Sequence, residues 1–193
     1  MKNTIKLPLF LGAVCLISTI ALATVNAITA PIIFQQGEDA RNAGYYEVLG
    51  VDGGLTKQAT VTATGALLTA GIDEYVTFLN STDQTIFGVV FNGSVGGFGS
   101  DPIVFQVGFK AGLYSGYKNI SNSETPSHGA TMLLALNEIL TGLSATSNLA
   151  TINNAIVAQR SALGLSSSVA VTRSNLTPAL VAAATEYLSL TAV

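Results

Sequence analysis

The chain has 193 residues; 49% are hydrophobic and only 10% are Asp, Glu, Lys or Arg, whereas an ordinary soluble domain carries about a quarter of charged residues. This composition excludes a disordered chain and a coiled coil, and a formal net charge of −3 leaves no basic face for nucleic acid. A single Cys and a single His exclude an internal disulfide framework and argue against a Cys/His metal site or nucleophile pair. The length predicts one domain.

The first predicted element is a membrane-spanning helix. No charged residue lies between Lys6 and Glu38, and residues 9–28 are long and apolar enough to cross about 30 Å of hydrocarbon. Lysines precede this segment and mostly acidic residues follow it, so the positive-inside rule predicts a cytoplasmic amino terminus and an extracytoplasmic remainder. The alternative is a cleavable signal peptide with its cleavage site at residues 25–27, although the apolar stretch exceeds the usual length of about 7 to 15 residues. We therefore expect a membrane anchor over residues 1–29.

The next elements are a helix, an unassigned segment and a sheet. Residues 30–50 predict a short amphipathic juxtamembrane helix that ends near Gly50, whereas residues 51–72 have no firm periodicity. From Glu74 onward, β-branched and aromatic runs predict four antiparallel strands, with a glycine-rich turn over residues 93–99 between the second and the third. The four runs cover residues 75–79, 85–91, 103–109 and 113–121.

Helical patterns return after Pro126. One apolar face covers residues 132–140 and is closed by Gly142; a second covers residues 149–157, with Ser147 or Asn148 as its cap. Thr177 followed by Pro178 predicts the N-cap and first residue of a last helix. Residues 51–193 are thus expected to form one α+β domain.

The first candidate functional stretch is residues 123–129 (SETPSHG), between the last strand and the next helix. Rigid Pro126 beside Glu124 and Gly129 predicts a loop whose backbone amides and Thr125 hydroxyl face a ligand. The alternative is a capped turn in which Ser or Thr side chains satisfy the amides of the following helix. His128, the sole histidine, is interpreted as an exposed loop residue rather than a general base.

The second stretch is residues 172–178 (TRSNLTP), immediately ahead of the predicted last helix. The free N–H groups of a helix start and the positive end of its dipole favour an anion such as phosphate. The planar guanidinium of Arg173 can bind two phosphate oxygens at once. The alternative is a well-capped helix with Arg173 solvated.

Four segments of the chain resemble the membrane-anchored FMN-binding subunits of ion-translocating respiratory complexes: that of the Rnf electron-transport complex and, less closely, its counterpart in the sodium-pumping NADH:quinone reductase. The segments are residues 25–49, 96–116, 124–129 and 172–184. The most specific is residues 124–129 (ETPSHG), which match four of the six positions of the family's ETPGLG loop. The resemblance implies a single N-terminal transmembrane helix followed by one extracytoplasmic FMN-binding-type domain with an antiparallel sheet and flanking helices.

The chain departs from the family where FMN is attached. In the family, a flavin transferase links FMN through a phosphoester to a Thr in the segment aligned with residues 172–177. Here Asn175 takes the acceptor's place, and an amide cannot form that ester. The one Gly-Ala-Thr sequence, residues 129–131, follows the ETP loop and is interpreted as coincidental.

The resemblance implies FMN as the cofactor, and Asn175 argues against covalent attachment at the usual position. One reading places the FMN phosphate at the start of the last helix, held by Arg173, with the isoalloxazine ring against the ETP loop. In the other reading, Arg173 fills the space of the phosphate and the subunit holds no flavin. The implied cofactor-binding residues belong to these two stretches: Glu124, Thr125, Pro126, Gly129, Thr172, Arg173, Ser174, Asn175, Leu176 and Thr177.

The expected function is a membrane-anchored subunit that relays electrons through FMN and contacts other integral-membrane subunits. The chain carries no nicotinamide fingerprint and no set of iron–sulfur cysteines, so it is expected to be an electron-carrier subunit rather than a complete enzyme. The alternatives are a cofactor-free structural subunit of the same complex and an unrelated secreted binding module.

Overall fold

The structure, a computed structural model, describes residues 2–165 and 170–192. The chain divides into two compact units, Met1–Ala43 and Gly44–Val193. The first helix, α1 (Lys2–Leu49), begins in the first unit and ends in the second. The expected anchor and juxtamembrane helix are therefore one continuous helix. The sequence becomes polar only after Ile33, and this change of polarity does not interrupt the helix.

The amino-terminal half of α1 is apolar and exposed. Its segment Phe10–Ile33 is long and apolar enough to span a membrane, and none of its most apolar stretch is buried. Exposed large apolar side chains of this kind lose their contact with water only in lipid or against another protein.

The carboxyl end of α1 is a Schellman motif. Gly50 adopts a φ of +62°, its N–H donates to the Glu47 carbonyl at 3.0 Å, and the N–H of Val51 donates to the Tyr46 carbonyl at 3.1 Å. Glycine adopts this left-handed conformation without a Cβ clash, which ends the helix. The predicted end near Gly50 is confirmed.

A six-stranded antiparallel sheet forms the centre of the second unit. Its strand order is β1-β3-β4-β5-β6, and β2 also pairs with β3. The last four strands confirm the four predicted ones, and two short strands lie in the segment that had no periodicity. The strands are β1 (Leu55–Lys57), β2 (Val61–Thr62), β3 (Ile72–Asn80), β4 (Ile86–Val95), β5 (Ile103–Lys110) and β6 (Leu113–Ser121).

The described part of this unit has four further helices: α2 (Gly65–Thr69), α3 (Gly129–Leu140), α4 (Leu149–Ala162) and α5 (Ala170–Thr191). The Asn148 side chain caps α4 by accepting the N–H of Thr151 at 2.9 Å, as predicted. The predicted start of the last helix is wrong, because α5 begins at Ala170 and contains Pro178 in its interior. Proline inside a helix removes one backbone hydrogen bond and crowds the carbonyl four residues earlier, yet α5 continues through Pro178.

Both faces of the sheet are covered, which explains why its strands read as nearly continuous apolar runs. On one face, Phe91, Phe105 and Phe109 pack into the larger core with residues of α2, α3, α4 and α5. On the other face, Tyr45 and the following residues of α1 pack against residues of β3 and β4, including Phe78. Alternation along the strands sends neighbouring side chains to opposite cores. The second unit is therefore an α+β fold with an antiparallel sheet and flanking helices.

Two paired glycines let the last turn of α1 approach the sheet. Gly108 and Gly116 are cross-strand partners on β5 and β6. A Cβ at Gly108 would lie 2.8 Å from the Val48 carbonyl oxygen, and one at Gly116 would lie 2.7 Å from it. Backbone atoms cannot move aside as a side-chain end can, so these positions require glycine.

The last carbonyls of α1 are bound by side chains from the sheet. Lys110 Nζ donates to the Leu49 carbonyl at 2.6 Å, and Ser115 Oγ donates to the Val48 carbonyl at 2.7 Å. A cation at a helix carboxyl end also compensates the negative end of the dipole. The end of α1 is thereby an integral part of the domain.

Candidate functional site

The glycine-rich turn that follows β4 (residues 96–99) is held by a buried carboxylate. Glu124 is only 7% exposed, and its Oε1 accepts the N–H of Phe98 at 2.6 Å and that of Gly99 at 3.2 Å. Hydrogen bonds to an ionised acceptor are shorter and stronger than neutral ones. Glu124 therefore determines the backbone position of this turn.

Glycines surround the Glu124 carboxylate. A Cβ at Gly97 would overlap Oε1, and a Cβ at Gly129 would overlap Oε2. The adjacent Ser123 hydroxyl accepts the N–H of Asp101 at 2.8 Å. The strand-to-helix loop thus bonds to a segment more than 20 residues away.

His128 is the N-cap residue of α3, and within the described ranges its side chain makes no capping hydrogen bond. Its Nδ1 lies 2.9 Å from the Ser127 hydroxyl, and the residue is half-buried rather than fully exposed. The expectation of an exposed loop histidine is therefore only partly right.

The second candidate stretch reaches the same turn from α5. Asn175 Nδ2 donates to the Gly96 carbonyl at 2.6 Å. The helix is itself fastened to the sheet, because the buried Tyr114 hydroxyl donates to the Leu180 carbonyl at 3.0 Å, and burial raises the pKa of that hydroxyl. The two stretches that the sequence singled out therefore hold opposite ends of the glycine-rich turn.

A cavity lies on either side of the turn. The Asn175 cavity has a volume of about 360 Å³, within the usual range for small-molecule sites. It is lined by Thr69, Ala70, Gly71, Ser94, Val95, Gly96, Ser174, Asn175 and Pro178. The Phe98 cavity has a volume of about 190 Å³ and is lined by Phe98, Glu124, Thr125, His128 and Gly129.

Two of the expected site residues lie in the core. Leu176 and Thr177 are each 1% exposed. The Thr177 hydroxyl donates to the Arg173 carbonyl at 2.9 Å and lies 3.1 Å from Asn153 Oδ1. The side chains of Leu176 and Thr177 are therefore unavailable to a ligand in this structure, and Thr177 bonds back along the helix instead of capping it.

The remaining expected residues are divided between the two cavities and their margins. Ser174 and Asn175 line one cavity, and Glu124, Thr125 and Gly129 line the other. Pro126 is exposed, and its carbonyl accepts the Thr131 hydroxyl at 2.7 Å. Arg173 is half-buried in the first turns of α5, whereas the side chain of Thr172 lies outside the described part of the structure.

Because α5 starts at Ala170, residues 175–177 do not form the helix start that was expected to bind an anion. The amides of residues 175–177 lie inside the helix, where each is bonded to the carbonyl four residues earlier. The residues that adjoin Pro178 therefore do not supply the free amides of a helix start. Polar groups in the Asn175 cavity come instead from side chains and from the glycine-rich turn.

Phe98 and the lining from α2 and the end of β4 were not predicted from the sequence. A Gly-Gly-Phe-Gly sequence is itself a signal, because a large aromatic residue is unusual between glycines in a turn. The contributions of Thr69 and Ser94 carry no such signal, since they depend on how distant elements pack.

No family model matches this sequence, and a search of curated proteins returns no match.

Proposed function

We propose that this protein is a membrane-anchored, FMN-binding subunit of an ion-translocating electron-transport complex of the Rnf type. The observation that carries the proposal is the meeting of the two aligned stretches at one turn, with Glu124 bonded to one side of it and Asn175 to the other. They are separated by about 50 residues in the chain, so this convergence is not a consequence of sequence proximity. This convergence supports the proposal that the resemblance extends to the FMN-binding site of the family.

The chain's own residues suit noncovalent binding. Thr69 and Ser94 line the Asn175 cavity beside the amide of Asn175, and such residues suit a polyhydroxyl chain ending in a phosphate. Arg173, two residues before Asn175 on α5, is the cation that we assign to the phosphate. Thr125 and the backbone at Gly129 lie against the other cavity, where a ring would bind. FMN, when bound, supplies reversible electron transfer, which the protein's side chains do not.

The rest of the chain supports a membrane-bound subunit. Phe10–Ile33 anchors it in the bilayer, the two preceding lysines hold the amino terminus in the cytoplasm, and the α+β domain lies outside. Only 17 charged side chains, 6 basic and 11 acidic, lie in residues 34–193. A surface with so few charges suits burial against other integral-membrane subunits.

A second candidate function is a cofactor-free structural subunit of the same complex. It is favoured by Asn175, whose amide is bonded to the Gly96 carbonyl, and by the burial of Leu176 and Thr177. In that case the polar groups around the turn serve only to hold the fold. An unrelated secreted binding module is the third alternative.

FMN binding by the full chain, purified in detergent from cells that also express a flavin transferase, separates these functions. We expect an unmodified intact mass, because Asn175 cannot form the ester, together with saturable binding of added FMN. Added mass would show covalent attachment, and peptide mapping would then locate it among Thr131, Thr172 and Ser174, since the Thr177 hydroxyl is buried. Absence of both added mass and binding would contradict the electron-carrier proposal and favour a cofactor-free subunit.

A further inference from the structure

Phe98 is exposed in a place where the backbone is closely held. Its side chain is 69% exposed, whereas the phenylalanines of the sheet core are fully buried. An isolated exposed apolar residue is common and is no evidence of function by itself. Here, however, the Phe98 N–H is bonded at 2.6 Å to a buried carboxylate, and glycines precede and follow the residue. The ring is thus carried by a backbone that is fixed in position.

The surroundings of the ring combine one aromatic face with polar edges. Phe98 lines the Phe98 cavity together with Thr125 and His128, whose hydroxyl and imidazole groups can hydrogen-bond the rim of a ligand. Sites for planar ligands are built in this way, with apolar contact to the faces and a few polar groups at the edges.

The two cavities are lined by neighbouring residues of one turn. Gly96 lines the Asn175 cavity and Phe98, two residues later, lines the other. One cavity offers hydroxyl and amide groups, and the other offers an aromatic ring. A ligand with a hydrophilic chain at one end and a planar ring at the other matches both.

We propose that Phe98 is the stacking platform for the isoalloxazine ring of FMN, with the ribityl phosphate directed past Gly96 toward the Asn175 cavity. The inference rests on the proposed function, which supplies the identity of the ligand. Glu124 acts as a positioning residue, because its carboxylate holds the backbone that carries the ring.

The test compares Phe98→Ala and Phe98→Trp in the full chain in detergent, with FMN and riboflavin as the probes. Loss of a stacked ring weakens binding by about tenfold, and equally for both probes, because riboflavin keeps the ring and lacks only the phosphate. A stacked indole quenches flavin fluorescence, so Phe98→Trp is expected to bind a darker flavin than the wild type. Leu113→Ala and Leu113→Trp serve as matched controls, since Leu113 is 42% exposed at the far end of β6.

The outcomes separate this inference from the function on which it rests. Equal FMN affinity of the wild type and Phe98→Ala, with no extra quenching in Phe98→Trp, would overturn the stacking role and leave FMN binding intact. A wild type that binds neither probe would overturn both proposals. Circular dichroism of each variant shows whether the fold is retained. If Phe98→Ala loses the fold, the flavin fluorescence of the folded Phe98→Trp is compared with that of Leu113→Trp. Stronger quenching in Phe98→Trp supports the stacking role, and equal quenching overturns it.

Discussion

Replacing Glu124 by alanine should release the glycine-rich turn without unfolding the domain. The substitution removes the acceptor of two backbone N–H groups, those of Phe98 and Gly99, which lie 2.6 and 3.2 Å from the same carboxylate oxygen. A hydrogen bond to a charged group contributes about 1.5 to 3 kcal/mol, and water can partly replace the acceptor in an exposed turn. We therefore expect the free energy of opening this turn to fall by about 3 kcal/mol in Glu124→Ala.

Amide hydrogen exchange measures this loss directly. A local loss of about 3 kcal/mol accelerates exchange at Phe98 and Gly99 by about 100-fold. Glu124→Gln keeps the shape and one neutral acceptor, so it should produce about a tenfold change. Glu138→Ala is the control, because Glu138 is an exposed carboxylate of α3, outside the site. Unchanged exchange at the two amides in folded Glu124→Ala would refute the positioning role.

Three further predictions concern the backbone and the pH dependence. Gly97→Ala should lower the thermal unfolding temperature by several degrees, because the new Cβ overlaps the buried Glu124 carboxylate. Gly96→Ala is the control and should change that temperature little, since its Cβ has its nearest contact at 3.8 Å. Equal shifts in the two variants would refute the packing argument. Gly116→Ala should lower that temperature by about 5 to 10 °C, because the new Cβ meets backbone atoms of α1; a wild-type melting curve would contradict this. Hydrogen bonds from Thr85 lower the pKa of Asp83, so the ionised Asp83 stabilises the fold above about pH 4, and this contribution is lost as the pH falls through the folded pKa. Asp83→Asn should therefore show a smaller acid-induced drop in melting temperature than the wild type. An unchanged drop would contradict this role of Asp83.

The order of α1, the four long strands and the last three helices could be predicted because each depends on residues close together in the chain. The strands were visible as β-branched and aromatic runs, and Gly50 and Asn148 marked helix ends through chemistry that acts within one turn. The predicted Thr177-Pro178 cap was wrong because it, too, was inferred from neighbouring residues alone. A Thr-Pro pair satisfies the local rule for a helix start, but the Thr177 hydroxyl finds its partners at the Arg173 carbonyl and on α4, and the helix extends back to Ala170.

Local sequence was enough to predict the apolar segment of α1, the four long strands, the presence of α3, α4 and α5, and the two candidate stretches. It did not predict β1, β2 or α2, and it misplaced the start of α5. What those stretches contact depends on tertiary packing. The Glu124 carboxylate bonds an amide 26 residues away, and Asn175 bonds a carbonyl 79 residues away. Neither partner can be read from local periodicity, because such contacts form only when the packing of α3 and α5 on the sheet brings distant backbone groups within about 3 Å. The exposure of Phe98 follows from the same packing, since the turn that carries it is fixed at both ends.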